Sequence, residues 1–429
     1  LAVGGLLILI TVLVAQAGTS ETETSSELDA SFGNNGIVVT DLGGEDESAN
    51  DLAVQSDGKI VVVGTVSNQD AFGVYRYQID GSLDSSFGSG GVVTTVVGAG
   101  HSEASGVALQ SDGKIVVVGT GGTWGDSSLT VARYDVGGAL DTSFGDGGIV
   151  TLTVGSAYNW GSDVAIQSDG KILVAGSSVL ATYDFVLARY DTQGNLDTGF
   201  GGTGVITTDL TGHEDFAHAL ALQSDGKIVV VGRGDTGDYD FAVARYKTSG
   251  DLDPTFGSGG ITVTHISGAS DDVYDVVVQP DGKIVVVGTA GYADLAIVRY
   301  DADGSLDTTF DGDGIDTVDV YGMGDAGEAV ALLPEGKIVV AGYTYNGSDE
   351  DILVVCYDTD GSLDDTFDGD GIATLDINGG DDAGRAVCVD GLNRIVVAGV
   401  YSDGHDDDIA LARYLGDTRR VFLPLVLRD

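Results

Sequence analysis

The sequence predicts an all-β fold: a seven-bladed β-propeller of four-stranded blades, closed by an N-terminal strand that completes the last blade. Three observations predict it. The phrase QSDGKIVVVG stands at 55–64 and again, letter for letter, at 110–119, with near copies at 167–176, 223–232, 279–288 and 333–342 and a decayed one, DGLNRIVVAG, at 390–399. Each interval holds four strand-like runs. The first run after the polar N-terminal stretch is of the type that the last repeat lacks.

The elements follow in order from the first copy. ANDLAVQ (49–55) reads as a strand, and SDG as a tight turn. Asp-Gly between two apolar runs predicts a two-residue hairpin turn with positive φ at both central positions. KIVVVGT (59–65) is a second strand whose apolar run does not alternate, so both its faces are covered. FGVYRYQ (72–78) is the third strand, and IDGSLDSSFGSGG leads into the fourth, VVTTVV (92–97). A sheet buried on both faces and repeated seven times packs radially, each blade between two neighbours. The chain opens with a fourth-type strand, GIVVTD (36–41), and ends on a third-type strand, DIALARY (408–414), so closure needs the two to pair.

Two further recurrences complete the repeat. Arg-Tyr ends the third strand at Arg76, Arg133, Arg189, Arg245, Arg299 and Arg413, with Cys356 the exception. Leu-Asp-x-x-Phe begins at Leu28, Leu83, Leu140, Leu196, Leu252, Leu306 and Leu363. The Phe is expected to wedge between blades, and the Asp to accept turn amides and pair with the repeated Arg. The Arg of Arg-Tyr and the Lys or Arg of the phrase account for 13 of the 19 basic residues, so most positive charge is architectural. Together, LDxxFGxxG and QxDGKIVVxG resemble the delta-60 repeats of bacteria over about residues 28–415, and more distantly kelch and NHL blades. That resemblance implies an exported or surface repeat protein and brings no catalytic residues.

The 67 acidic against 19 basic residues give a formal charge of −48, which repels nucleic acid and anionic lipid. Nucleic-acid binding is therefore not expected. Residues 1–17 read as a signal peptide lacking its basic start, with Ala15-Gln16-Ala17 as the cleavage pattern. The run is shorter than a membrane span prefers, and no span is expected after cleavage. Residues 18–27 read as a polar linker, 28–415 as the propeller and 416–429 as an apolar tail expected to pack. The mature protein is expected to be secreted or at the cell surface, and monomeric. Cys356 and Cys388 fall at different strand positions and carry no metal-site spacing.

Chemistry is expected on the face that carries the loops between second and third strands and the blade-to-blade links. Those loops vary, whereas the hairpins and LDxxF turns of the opposite face hardly do. Trp124, Tyr158, Trp160 and Tyr183 cluster there, and aromatic rings beside carboxylates suit sugar rings. A binding module for a polysaccharide or a cell-surface protein is the expected function. Alternatives are a carbohydrate-active hydrolase or lyase using channel carboxylates, and a calcium-stabilised envelope protein. For Ca²⁺ the candidates are the acidic turns holding Asp301, Asp303, Asp311 and Asp313, and Asp358, Asp360, Asp368 and Asp370, although they lack EF-hand spacing. No catalytic set is assigned: GxSxG, HExxH and P-loop patterns are absent.

Overall fold

The computed structural model describes residues 28–416 apart from 44–45, 67–69, 99, 124, 157, 292 and 403. The expected signal peptide, linker, most of the tail and Trp124 lie outside the described residues. Seven four-stranded antiparallel sheets form a ring. In blade 1 the strands run from the channel outward as Glu47–Val54, Ile60–Val66, Ala71–Tyr77 and Val92–Val96. Among the described residues no helix is long and apolar enough to cross a membrane.

The second and third strands of each blade are buried along nearly their whole length, as their unbroken apolar runs require. The core lies between blades. Val61, Val63, Phe72 and Phe87 of blade 1 pack with Ala104, Val107, Ile115 and Val117 of blade 2, and this pattern recurs around the ring. Phe87 is thus the inter-blade wedge its spacing predicts.

The hairpin departs from expectation. Gly58 N donates to Gln55 O at 2.8 Å and Gln55 N to Lys59 O at 2.7 Å, and Gly58 takes φ 83° while Asp57 does not share the left-handed region. The loop is a three-residue turn ending in a left-handed glycine, not a two-residue turn with two positive φ values. Asp57 Oδ1 accepts from Lys59 N at 3.2 Å, which gives the Asp its own reason to recur.

The glycine that closes the phrase has a different cause. A Cβ on Gly64 would stand 1.7 Å from the carbonyl oxygen of Ser48 on the innermost strand. The same carbonyl crowds Gly119, Gly176, Gly232, Gly288, Gly342 and Gly399. There the innermost strand bulges, and only a hydrogen fits beneath it.

In blades 1, 2, 4 and 5 the Arg-Tyr pair stitches the blade to both neighbours. Arg76 Nε meets Asp84 Oδ2 at 2.8 Å, its guanidinium stacks 4.4 Å above Phe87, and Nη1 donates to Val136 O of blade 2 at 2.6 Å. Tyr77 Oη reaches backward to Thr40 Oγ1 of blade 7 at 2.8 Å. Arg133, Arg189 and Arg299 repeat the forward contact at 2.6–2.8 Å. Tyr134, Tyr246 and Tyr300 repeat the backward one. Cys356 breaks the series, and where a guanidinium would lie there is a cavity of about 120 Å³ beside Asp364, Phe367 and Asn393. Both cysteines are free.

Closure is as the repeat count requires. Ile37–Thr40 pairs antiparallel with Asp407–Tyr414, with Ile37 opposite Ala412 and Thr40 opposite Ile409. Asp29 then supplies the carboxylate of the last clamp, with Arg413 Nη2 at 2.8 Å and Arg394 Nη1 at 3.2 Å.

Candidate functional site

The innermost strands carry one bulge each, between Ala49 and Asp51, Ala104 and Gly106, Gly161 and Asp163, Ala217 and Ala219, Val273 and Asp275, Gly327 and Ala329, and Gly384 and Ala386. The bulged residues are Asn50, Ser105, Ser162, His218, Tyr274, Glu328 and Arg385. Seven equivalent positions hold six residue types within a chain that otherwise repeats itself. A bulge re-aims its side chain without disturbing the strands beside it, so this position is free to vary. All but Ser162, together with Glu103, line one chamber of about 410 Å³ in the channel.

Its electrostatics are uneven. Burial holds His218 down at about 4, with nearby Arg233 pushing the same way, so the ring is neutral at pH 7. His218 Nε2 is buried without a hydrogen-bond partner, and the ring meets Tyr274 edge-on at 6.1 Å. Burial lifts Glu328 to about 7 despite the attraction of Arg385, whose Nη1 also donates to Asn50 Oδ1 at 3.2 Å.

One residue further along, Asp51, Asp163 and Asp275 lie deep in blades 1, 3 and 5. Each carboxylate spans a joint, accepting from Val107 N (2.7 Å), Leu220 N (2.7 Å) and Val330 N (2.8 Å) of the next blade. Burial raises Asp163 to about 6 and Asp275 to about 7, and lifts Asp51 well above its ordinary value; mutual repulsion adds to the shift of Asp51 and Asp275. A carboxyl raised in the fold contributes stability that is present at low pH and lost as pH rises through the folded value. His218 acts oppositely, and the clamp carboxylates Asp29 and Asp253, held near 2, weaken the fold only in strong acid. The difference between proteins isolates the channel. Between pH 5 and 8, Asp275→Asn is expected to lose about 2–3 kcal/mol less stability than the parent. Urea unfolding at the two pH values measures this, and parallel slopes would show an ordinary carboxylate.

At the variable-face mouth of the channel the rings of Tyr158, Trp160, Tyr183, Phe216 and Tyr239 form a continuous track. Centroid separations are 6.3 Å for Tyr158–Trp160, 5.2 Å for Trp160–Tyr183, 4.7 Å for Tyr183–Phe216 and 6.2 Å for Phe216–Tyr239. Arg233 lies 4.7 Å over Phe216 and 4.4 Å over Tyr239, and is fixed by Asp272 at 2.6 Å. Trp160, Tyr183, Phe216 and Tyr239 are half-buried and Tyr158 is exposed, so the track presents ring surface. The structure therefore brings together Tyr158, Trp160 and Tyr183. Phe216, Tyr239, Arg233 and the bulge ring escaped sequence reasoning. Aligning the repeats exposes that ring as a position that varies inside an otherwise repeated strand.

The eight acidic turn residues lie on the opposite face. Asp301 and Asp358 sit 3.5 and 3.0 Å from Lys283 and Lys337. Asp303 and Asp360 accept from Ser305 and Ser362, and Asp313 and Asp370 from Ile315 N and Ile372 N. Asp311 and Asp368 take positive φ in their turns.

Six segments, 55–87, 110–144, 167–200, 223–256, 279–310 and 333–367, match a family model described as a β-propeller domain of unknown function, DUF5122. No curated protein matches the chain. Among solved structures, a catalytically inactive variant of virginiamycin B lyase from Staphylococcus aureus, solved with quinupristin, shares 14% identity. The match covers 88% of this chain and 98% of that one, with a TM-score of 0.54. A polysaccharide lyase acting on ulvan, solved with a bound GlcA–Rha3S oligosaccharide, shares 11% identity over 88% of this chain and 96% of its own, with a TM-score of 0.49. Sqt1 from Chaetomium thermophilum, bound to the N-terminus of ribosomal protein L10, shares 15% over 83% of each chain, with a TM-score of 0.46. At such identity the likeness is one of fold alone.

Proposed function

We propose, for a chain six of whose seven repeats match a β-propeller family model, that it is an exported, non-catalytic binding module built of delta-60 repeats. Its ligand is a polysaccharide, gripped at the variable-face mouth of the channel. One observation carries this reading: five aromatic rings follow one another on the variable face, and Arg233, stacked on the last two, stands near His218 of a channel ring of amide, hydroxyl, imidazole, carboxylate and guanidinium groups. Sugar rings stack on the first and exchange hydrogen bonds with the second. A rigid propeller holds both in place without the ordering cost a flexible loop incurs.

Titrating purified protein with candidate oligosaccharides while following tryptophan emission tests it, since only Trp124 and Trp160 emit strongly. A saturable change is expected, weakened about tenfold or more by Trp160→Ala and by Tyr183→Ala. Unchanged affinity in both variants would sink the assignment.

A second reading, a carbohydrate lyase or hydrolase, draws on the neutral His218 with its free Nε2 beside Tyr274, Glu328 and Arg385. A neutral imidazole accepts a proton, and a guanidinium neutralises a substrate carboxylate. Depolymerisation of a uronate-containing glycan, lost in His218→Ala, would replace the first reading with this one.

A further inference from the structure

Away from the channel, the variable face repeats a second constellation. It joins the start of the third strand, the residue after the fourth strand, and the residue that opens the next blade. In blade 5 these are Asp294, Asp319 and Asp325, and in blade 3 Asp184, Asp209 and Asp215. In blade 7, Asp408 and Asp41 take the first two positions, Asp406 joins them, and Glu47 opens the next blade. In each group of three aspartates, one carboxylate oxygen from each lies within 4.8 Å of the others.

The third residue has a structural duty. Asp325 Oδ2 accepts from Val320 N at 3.0 Å and Asp215 Oδ2 from Leu210 N at 2.7 Å, and each closes the turn between blades. Neutral side chains perform that duty elsewhere: Ser102 Oγ accepts from Val97 N, and Asn159 Oδ1 from Val154 N at 2.8 Å. The first and second positions of blades 1 and 2 are Ala71 and Val96, and Ser128 and Thr153. The turn therefore does not demand an acid, still less three. Blade 4 places an imidazole in the set instead, with His265 Nδ1 2.5 Å from Asp240 Oδ1 and Asp271 next to both, and the hydrogen bond with Asp240 raises the pKa of His265.

Blade 5 has neither remedy. Asp325 is 2% exposed and its Oδ1 has no hydrogen-bond partner. A buried carboxylate oxygen left bare among like charges is costly unless a cation completes the set.

We infer that the variable face binds Ca²⁺ at blade 5, through Asp294, Asp319 and Asp325. The donors are hard carboxylate oxygens alone, without the nitrogen or sulfur that zinc prefers. Ca²⁺ takes about six to eight oxygen ligands in flexible geometry, whereas Mg²⁺ demands a near-ideal octahedron and dehydrates reluctantly. Water fills the remaining positions, since Asp319 is exposed. Blade 6 holds Asp351, Asp376 and Asp382 at the same positions but does not gather them as closely.

The test is CaCl₂ added to EDTA-treated full-length protein, read by calorimetry and by thermal melting. With calcium about a hundredfold above its dissociation constant, the site is expected to raise the melting temperature by about 3 °C, and MgCl₂ at the same concentration by far less. Asp319→Asn, at an exposed position outside the strands, cannot fail through the core; it is expected to lose the binding heat and the shift. Asp325→Asn is expected to match or exceed the parent's melting temperature in EDTA, since it removes a bare buried charge, and to lose the same calcium increment. Absence of heat and shift would overturn the proposal. So would full calcium response in both variants, or loss of response on Asp313→Asn, which would move the site to the opposite face.

Discussion

Deleting residues 28–41 is expected to leave a chain that does not close. The deletion strips the outer strand from blade 7 and bares the edge of Asp407–Tyr414, a strand buried almost throughout. It also removes Phe32, fully buried beneath Arg413, and Asp29, the carboxylate that Arg413 and Arg394 share. Losing a buried Phe costs about 3–5 kcal/mol, and leaving a buried Arg without its partner costs about as much again. Together they amount to on the order of 10 kcal/mol, which is comparable to the whole stability of a typical domain. The bared edge also invites pairing with other chains. Circular dichroism melts and gel filtration of the truncated chain measure this: aggregation, or a broad transition at least 15 °C lower, is expected. A monomer melting cooperatively within a few degrees of the intact chain would show that the ring holds without its closing strand.

The second large effect is at a clamp. Asp307 is 1% exposed and accepts from Arg299 Nε at 2.6 Å, Lys283 Nζ at 2.5 Å, and Thr309 N and Oγ1 at 3.0 and 2.7 Å. Asp307→Ala leaves a buried guanidinium facing Phe310, the Thr359 carbonyl and the Thr309 hydroxyl, with no carboxylate. A loss of about 3–5 kcal/mol is expected, because the penalty is an uncompensated buried charge and not merely a missing bond. Asp303→Ala, in the same turn but exposed, should cost under about 1 kcal/mol. Guanidinium-chloride midpoints of the two variants make the comparison. Equal losses would mean that the Asp of Leu-Asp-x-x-Phe acts only as a turn residue.

The clamps and the closure were legible because they rest on features that recur at fixed spacing. Arg, Asp and Phe return together in all but one repeat, and repeated opposite charges on a buried strand have few partners other than each other. The unbroken IVVV run showed burial on both faces, and the missing fourth-type strand showed where the termini meet. The hairpin was misread because Asp-Gly serves two turns. Only the observed hydrogen bonds, with Gly58 alone left-handed, separate a two-residue loop from a three-residue one.

The channel ring was hidden for a different reason. A bulge adds one residue to a strand without any composition of its own, and Asn50, Ser105 and His218 have no propensity in common. Within a single repeat ANDL reads as ordinary strand. The acid triads escaped because their members stand 25 and 31 residues from the first, as in Asp184, Asp209 and Asp215, and only the return of the fourth strand brings them together. Trp160 and Tyr183 were legible as neighbours because one opens a blade and the other ends its variable loop. Phe216 and Tyr239 repeat that arrangement one blade on.

The seven joints of the ring are not mechanically equal. Asp51, Asp163 and Asp275 lock blade 1 to 2, 3 to 4 and 5 to 6 from inside the channel, and the other joints have Gly106, Ala219, Ala329 and Ala386 in that place. Joint 6–7 also lacks the outer strut, since Cys356 replaces the arginine and leaves a void. The inner carboxylates therefore couple three pairs of blades and leave blade 7 single, and joint 6–7 has neither an inner carboxylate nor the outer arginine. That joint adjoins the blade in which the first and last strands pair, and it stands across the ring from the aromatic rings of blades 3 and 4.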